Sequence, residues 1–286
     1  MAAVRPLPVD ESGSNIARLV SSSAVLDAAA RLWFVTALIG QWAFLYYIAG
    51  FYDLATLRGD FALWNKNTHL LKGYVAGDTA GNLAFAFHVL LAAIVTFGGA
   101  LQVISQSRPR LHHVHRWNGR LFLLTALGGA VSGLYMIWVR GSRANLTAGL
   151  ATSLDAALII AFALLAWRAA RARTIAIHRR WALRTWIVAS GVWFQRVGIF
   201  GWTTLDPAAA GMTKDFDGWF DLTWAFACYL LPLAVLELYL RVKDRGGPGG
   251  RYVMAAGILF LTAATAFGTY AAYMFVWRHA LFRLGA

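Results

Sequence analysis

Apolar runs of roughly twenty residues recur along this chain, and no other feature constrains its fold as strongly. A helix needs about 20 mostly apolar residues to cross the hydrocarbon core of a bilayer. Seven stretches meet that length, at roughly 32–52, 81–105, 118–139, 150–168, 182–204, 219–241 and 252–277. Charged residues make up 14% of the chain, where a soluble domain carries about a quarter. These features predict an all-α polytopic membrane bundle of about seven transmembrane helices. It occupies residues 32–286 as one domain, behind an N-terminal tail at 1–31.

The formal charge of +13 would point to nucleic acid in a soluble protein. Here the basic residues fall in alternate loops instead. Arg108, Arg110 and Arg116 lie between spans two and three. Arg168, Arg171, Arg173, Arg179 and Arg180 lie between four and five, and Lys243, Arg245 and Arg251 between six and seven. The positive-inside rule then places the N-terminus in the cytoplasm and the chain in the bacterial inner membrane, with lipids and no nucleic acid as partners. Trp64 and Trp277, among other tryptophans, fall near predicted span ends, where an indole keeps its N–H wet. All four lysines lie outside the spans, which excludes a retinal Schiff base. The one cysteine, Cys228, cannot form an intrachain disulfide.

Two turns repeat a theme: "HRWNGR" from His115 to Arg120, and "HRRWALR" from His178 to Arg184. Each follows an apolar span and opens the next, so the core region 81–204 reads as a duplicated helical hairpin. The segment from about 81 to 200 resembles a bacterial multi-pass membrane family catalogued as domain of unknown function 2306. The resemblance rests on an intramembrane His matched by His88 and on the two His-Arg turns. It implies a membrane-embedded fold and no activity.

His88 sits inside an apolar run, and a titratable group there marks a site by default. By helical rise, His88, Asp155 and Arg196 share one depth near the outer side and are expected to pair, with Ser132 and Tyr135 within reach. The bland alternative is a network that only fixes helix packing. His115 and His178 stand at the cytoplasmic starts of spans three and five, where they are ligands for a heme iron or a zinc or iron ion. The alternative is contact with lipid phosphates, shared by Arg116, Arg120 and Arg179.

Three functions follow. The first is a redox protein binding heme b at His115 and His178, with His88, Arg116, Arg120 and Arg179 as further cofactor contacts, and exchanging electrons with quinone. It is similar to the cytochrome b561 type, although that group also pairs histidines between helices two and four, where this chain offers Asp155. The second is a metal-dependent enzyme acting on a lipid or small apolar molecule. There His88 with Asp155 holds the metal or acts as general base, and Arg196 stabilises an anion. The third is a transporter or a scaffold without catalysis. Glu237, near the inner end of span six, is expected to reach the cytoplasmic arginines.

Overall fold

A computed structural model describes residues 21–67, 72–105 and 112–278, all of it helices and loops. Most of the predicted tail, and the turn carrying Arg108 and Arg110, lie outside the described residues. The first helix, α1 (Ser22–Ile48), begins about ten residues earlier than the apolar run suggests. Ser21 caps it, its Oγ accepting from the Ala24 N–H at 3.4 Å. A π-helical turn (Ala49–Asp53) joins it to α2 (Leu54–Arg58), which ends at Gly59 in the left-handed conformation (φ 73°).

Then come α3 (Thr79–Ser105), α4 (His112–Trp138) and α5 (Leu146–Arg171). The shorter α6 (Ile175–Ala189) and α7 (Gly191–Leu205) follow. The last are α8 (Trp219–Arg245) and α9 (Pro248–Ala272), extended by a π-turn through Trp277. Among the described residues, six helices are long and apolar enough to cross a membrane. They match all the predicted spans except the fifth. That region is covered by α6 and α7, 15 residues each, which meet at Ser190 (φ −86°, ψ 2°).

The helices pack as adjacent hairpins, α3 on α4 and α5 on α6, while α9 lies against both α1 and α7. Small residues allow close approach. A Cβ on Gly99 would meet the Trp186 ring at 2.6 Å, and one on Gly128 would meet Leu91 at 2.8 Å. Both glycines lie in the small-residue runs of the sequence. Burial overrules the sequence expectation for two tryptophans: Trp64 and Trp277 are 2% and 0% exposed and belong to the main core.

The helix ends that carry His115, Arg171, His178 and Arg245 lie, by the antiparallel packing of the hairpins, on one side with the start of α1, here the basic end. Three ion pairs stitch it: Arg184–Glu237 (2.6 Å), Arg180–Asp244 (2.7 Å) and Lys243–Asp27 (2.7 Å). Glu237 thus reaches an arginine, as expected. The opposite, loop-rich end is held by buried Arg140. Its guanidinium binds Asp78 (2.8 Å), the carbonyls of Lys72 (2.5 Å) and Gly73 (2.8 Å), and Asn82 Oδ1 (2.8 Å).

Asn145 anchors the same end. Its Oδ1 caps α5 by accepting from the Ala148 N–H at 2.8 Å, while its Nδ2 donates to the carbonyls of Asp215 (3.1 Å) and Phe216 (2.8 Å). Asn145→Ala removes the cap and both loop tethers, so a loss of about 1–2 kcal/mol is expected. Thermal unfolding in detergent measures it; a melting temperature equal to wild type would refute the tether.

Candidate functional site

Each titratable residue inside the bundle has its own surroundings. His88, on α3, faces α4: its Nδ1 lies 3.0 Å from the Gly129 carbonyl and 3.1 Å from Ser132 Oγ. Because Ser132 Oγ also donates to Gly129 O (3.1 Å), Nδ1 is assigned as protonated. Gly133 makes room for the ring, since a Cβ there would lie 3.3 Å from His88 Cε1. The expected partnership with Ser132 is therefore present, and it leaves Nε2 with no partner among the described residues.

Asp155, on α5, points at the junction of α6 and α7. A Cβ on Gly191 would stand 3.0 Å from its Oδ2 and 3.2 Å from Tyr229 Cβ. Its Oδ1 is buried without a hydrogen-bond partner. Nearby, Tyr229 donates its hydroxyl to the Ala151 carbonyl at 3.0 Å. The junction itself is tied to α1, because Gln41 Nε2 donates to Ser190 Oγ at 2.9 Å. Around it lie further buried polar atoms without partners: Gln41 Oε1, Trp193 Nε1 and Thr269 Oγ1. Gly40 borders this group, since a Cβ there would meet Trp193 Cζ2 at 2.7 Å and Thr269 Oγ1 at 2.8 Å.

Arg196, on α7, turns a third way. Its guanidinium carbon sits 5.2 Å from the centre of the Phe44 ring, and Nη1 donates to the Val192 carbonyl of its own helix at 3.0 Å. The expected His88–Asp155–Arg196 network is therefore not formed. Asp155 meets Gly191, five residues before Arg196 on α7, and the three side chains leave their helices in different directions. Depth follows from counting residues, whereas azimuth does not when nearly every face is apolar.

At the basic end, the two repeated histidines are each held within their own hairpin. His178 Nδ1 lies 2.9 Å from the Ala166 carbonyl, 12 residues back on α5. His115 Nε2 lies 3.1 Å from Gln102 Nε2, 13 residues back on α3. Gln102 Oε1 in turn accepts from Asn118 Nδ2 (2.9 Å), which also donates to the Gly98 carbonyl (2.8 Å). The tryptophans of the two turns repeat as well. Arg120 stacks over Trp117 at 5.0 Å and Arg184 over Trp181 at 4.6 Å, in each case three residues on. The duplicated motif thus has a shared physical content: a histidine bound to the preceding helix and an indole capped by a guanidinium.

Arg116, Arg120 and Arg179 are exposed and make no ion pair among the described residues. His113 is helical and accepts from Trp117 Nε1 at 3.1 Å. Among the described residues no group of three or more His, Cys, Asp and Glu could hold a metal ion. His88, His115 and His178 accordingly do not make one metal site, because His88 stands toward the loop-rich end and the other two at the basic end.

Sequence reasoning marked Gln102 only as a polar residue within a span and passed over Asn118 and Arg140. The two amides carry a signal in hindsight: Gln102 lies just under one turn from the end of its apolar helix and Asn118 over one and a half turns inside the next, and amides so placed need partners. The fold and these contacts define a multi-pass helical membrane protein. A family model described as predicted membrane protein (DUF2306) matches residues 85–240, more than half of the chain, and the chain belongs to that family. No curated protein and no solved structure matches it.

Proposed function

We propose that this is a membrane redox protein that holds a heme b at its basic end, with His178 and His115 as axial ligands. The observation that carries the reading is the state of His178. Its Nδ1–H donates to a backbone carbonyl, leaving Nε2 with no partner among the described residues. Metal-ligating imidazoles are oriented and made more basic in this way. His115 has a matching depth: it lies seven residues before Phe122, and His178 eight before Trp186, two rings packed in one buried cluster. At about 1.5 Å per residue both imidazoles stand roughly 10–12 Å from that cluster.

His115 fits only conditionally, because its Nε2 is engaged by the Gln102 amide. For that nitrogen to bind iron, Gln102 must withdraw. A bound heme would supply one-electron chemistry. The protein would orient the imidazoles, and the exposed Arg116, Arg120 and Arg179 would meet propionates or lipid phosphates. Quinone as electron partner, the bacterial inner membrane and a cytoplasmic N-terminus complete the proposal, the last two supported by the alternating basic loops.

The test is a visible spectrum of protein purified in detergent from heme-sufficient cells. A Soret band is expected, lost in His178→Ala and in His115→Ala, kept in His113→Ala, and stronger in Gln102→Ala. Colourless protein that takes up no added hemin, or a band unchanged in both ligand variants, would end the proposal.

One observation favours a second reading, transport. A span broken at Ser190 beside an intramembrane carboxylate, with unpartnered polar atoms around the break, resembles the discontinuous helices that line transporter sites. Cation flux in proteoliposomes that disappears in Asp155→Asn, with no Soret band in either protein, would select it.

A further inference from the structure

We propose that Arg196 binds the carboxylate of a membrane-soluble acid beside Phe44, where α1, α7 and the turn after α9 meet. This stands apart from the heme proposal, which concerns the other end of the bundle. Arg196 lies nine residues before the end of α7 at Leu205, so about 14 Å from the loop-rich end. At that depth a guanidinium needs a counter-charge or a full set of acceptors. Four ion pairs occur among the described residues, and none includes Arg196. One hydrogen bond to its own helix is recorded, so most of its five donors remain to be matched.

The surroundings are aromatic rather than acidic. Phe44 lies under the guanidinium, Phe44 packs on Trp277 at 5.5 Å and on Tyr47 at 6.2 Å, and Tyr47 meets Tyr52 edge to face at 6.2 Å. Phe44 lies beside the guanidinium carbon and Val192 O takes Nη1, while no hydrogen bond from Nε or Nη2 is made among the described residues, so that edge can grip a carboxylate in two parallel bonds.

Depth narrows the ligand. The phosphate of a bilayer lipid stays at the interface, well above this point, whereas a carboxylic acid with a long apolar body can reach it. Two sources share that chemistry, a fatty acid and a porphyrin propionate, and the aromatic walls suit the apolar body of either.

Cis-parinaric acid, a fluorescent fatty acid, is the probe, titrated into purified protein in detergent with tryptophan energy transfer as the readout. Saturable binding is expected, about tenfold or more weaker for the methyl ester and for Arg196→Gln, and partly restored in Arg196→Lys. Size-exclusion profiles and melting temperatures show whether each variant is folded. If Arg196→Gln does not fold, the acid-to-ester ratio on wild-type protein decides alone.

Hemin and its dimethyl ester, titrated in parallel, separate the sources. Arg196-dependent uptake of hemin alone assigns the pocket to a propionate, and Arg196-dependent binding of parinarate assigns it to a fatty acid. Equal affinity for acid and ester in both pairs, or acid binding unchanged in folded Arg196→Gln, would overturn the inference. The Soret test of His178 is unaffected by the parinarate outcome, and a hemin held through Arg196 is told apart because its Soret band survives in His178→Ala and is lost in Arg196→Gln.

Discussion

Arg140→Ala is expected to be the most damaging single substitution at the loop-rich end, costing about 3–5 kcal/mol. The Arg140 side chain is 3% exposed, and it joins Asp78, Asn82 and the carbonyls of Lys72 and Gly73 to the end of α4. Lys72 answers by donating Nζ to the Arg140 carbonyl at 3.1 Å. Truncation leaves two carbonyls, one amide and one carboxylate without their donor, and the crossing from 72 to 82 loses its anchor. Lysine would not rescue, because one ammonium cannot reach acceptors spread across the planar fork of a guanidinium. Thermal unfolding in detergent measures the loss. A change below about 1 kcal/mol would mean that solvent satisfies this cluster and that the guanidinium does not organise it.

The same cluster predicts a pH dependence. The hydrogen bond from Arg140, helped by the Gly81 N–H, holds the Asp78 carboxyl below its ordinary range. The folded state therefore binds that proton less readily than the unfolded chain. The contribution is complete above the ordinary carboxylate pKa of about 3.9 and is lost as pH falls through the lower folded value. The melting temperature of the wild type should then fall more steeply below about pH 4 than that of Asp78→Asn. Parallel curves would show that the pair contributes nothing.

The second large effect belongs to the contact of α7 with α9. A Cβ on Gly268 would run into the Val197 carbonyl oxygen and stand 2.7 Å from Val197 Cγ1, while a Cβ on Gly201 would lie 3.5 Å from the Gly268 Cα. Backbone cannot yield as a side-chain tip can. Gly268→Val should separate the two helices and cost about 1–3 kcal/mol. Gly257, on the same helix, has nothing within 4 Å of an added Cβ. Gly257→Ala is expected to be neutral or stabilising by up to about 1 kcal/mol. If both variants melt alike, the tight crossing of α7 and α9 is not where stability resides.

Much of the fold was legible because hydrocarbon thickness sets the length of an apolar run, and six such runs became single long helices. The break in the fifth was not legible. No proline marks it; Ser190 is held by Gln41 from a distant helix, and Gly191 gives place to Asp155. Those are tertiary causes, invisible to hydropathy. The repeated His-Arg turns stand out in the sequence, yet their partners Gln102 and Ala166 depend on which way each helix is rotated. Trp277 shows the opposite error. Its place near a run's end suggested the interface, but the first helix is long enough to bury it against Phe44 and Tyr47.

The interruption at Ser190 bears on how the polypeptide is made. Each half of the region is 15 residues long, and the first carries His178, Arg179, Arg180 and Arg184. Neither half would partition from the translocon into lipid unaided. In the folded bundle Arg184 of the first half meets Glu237 of α8, so the placement of this region depends on a helix later in the sequence.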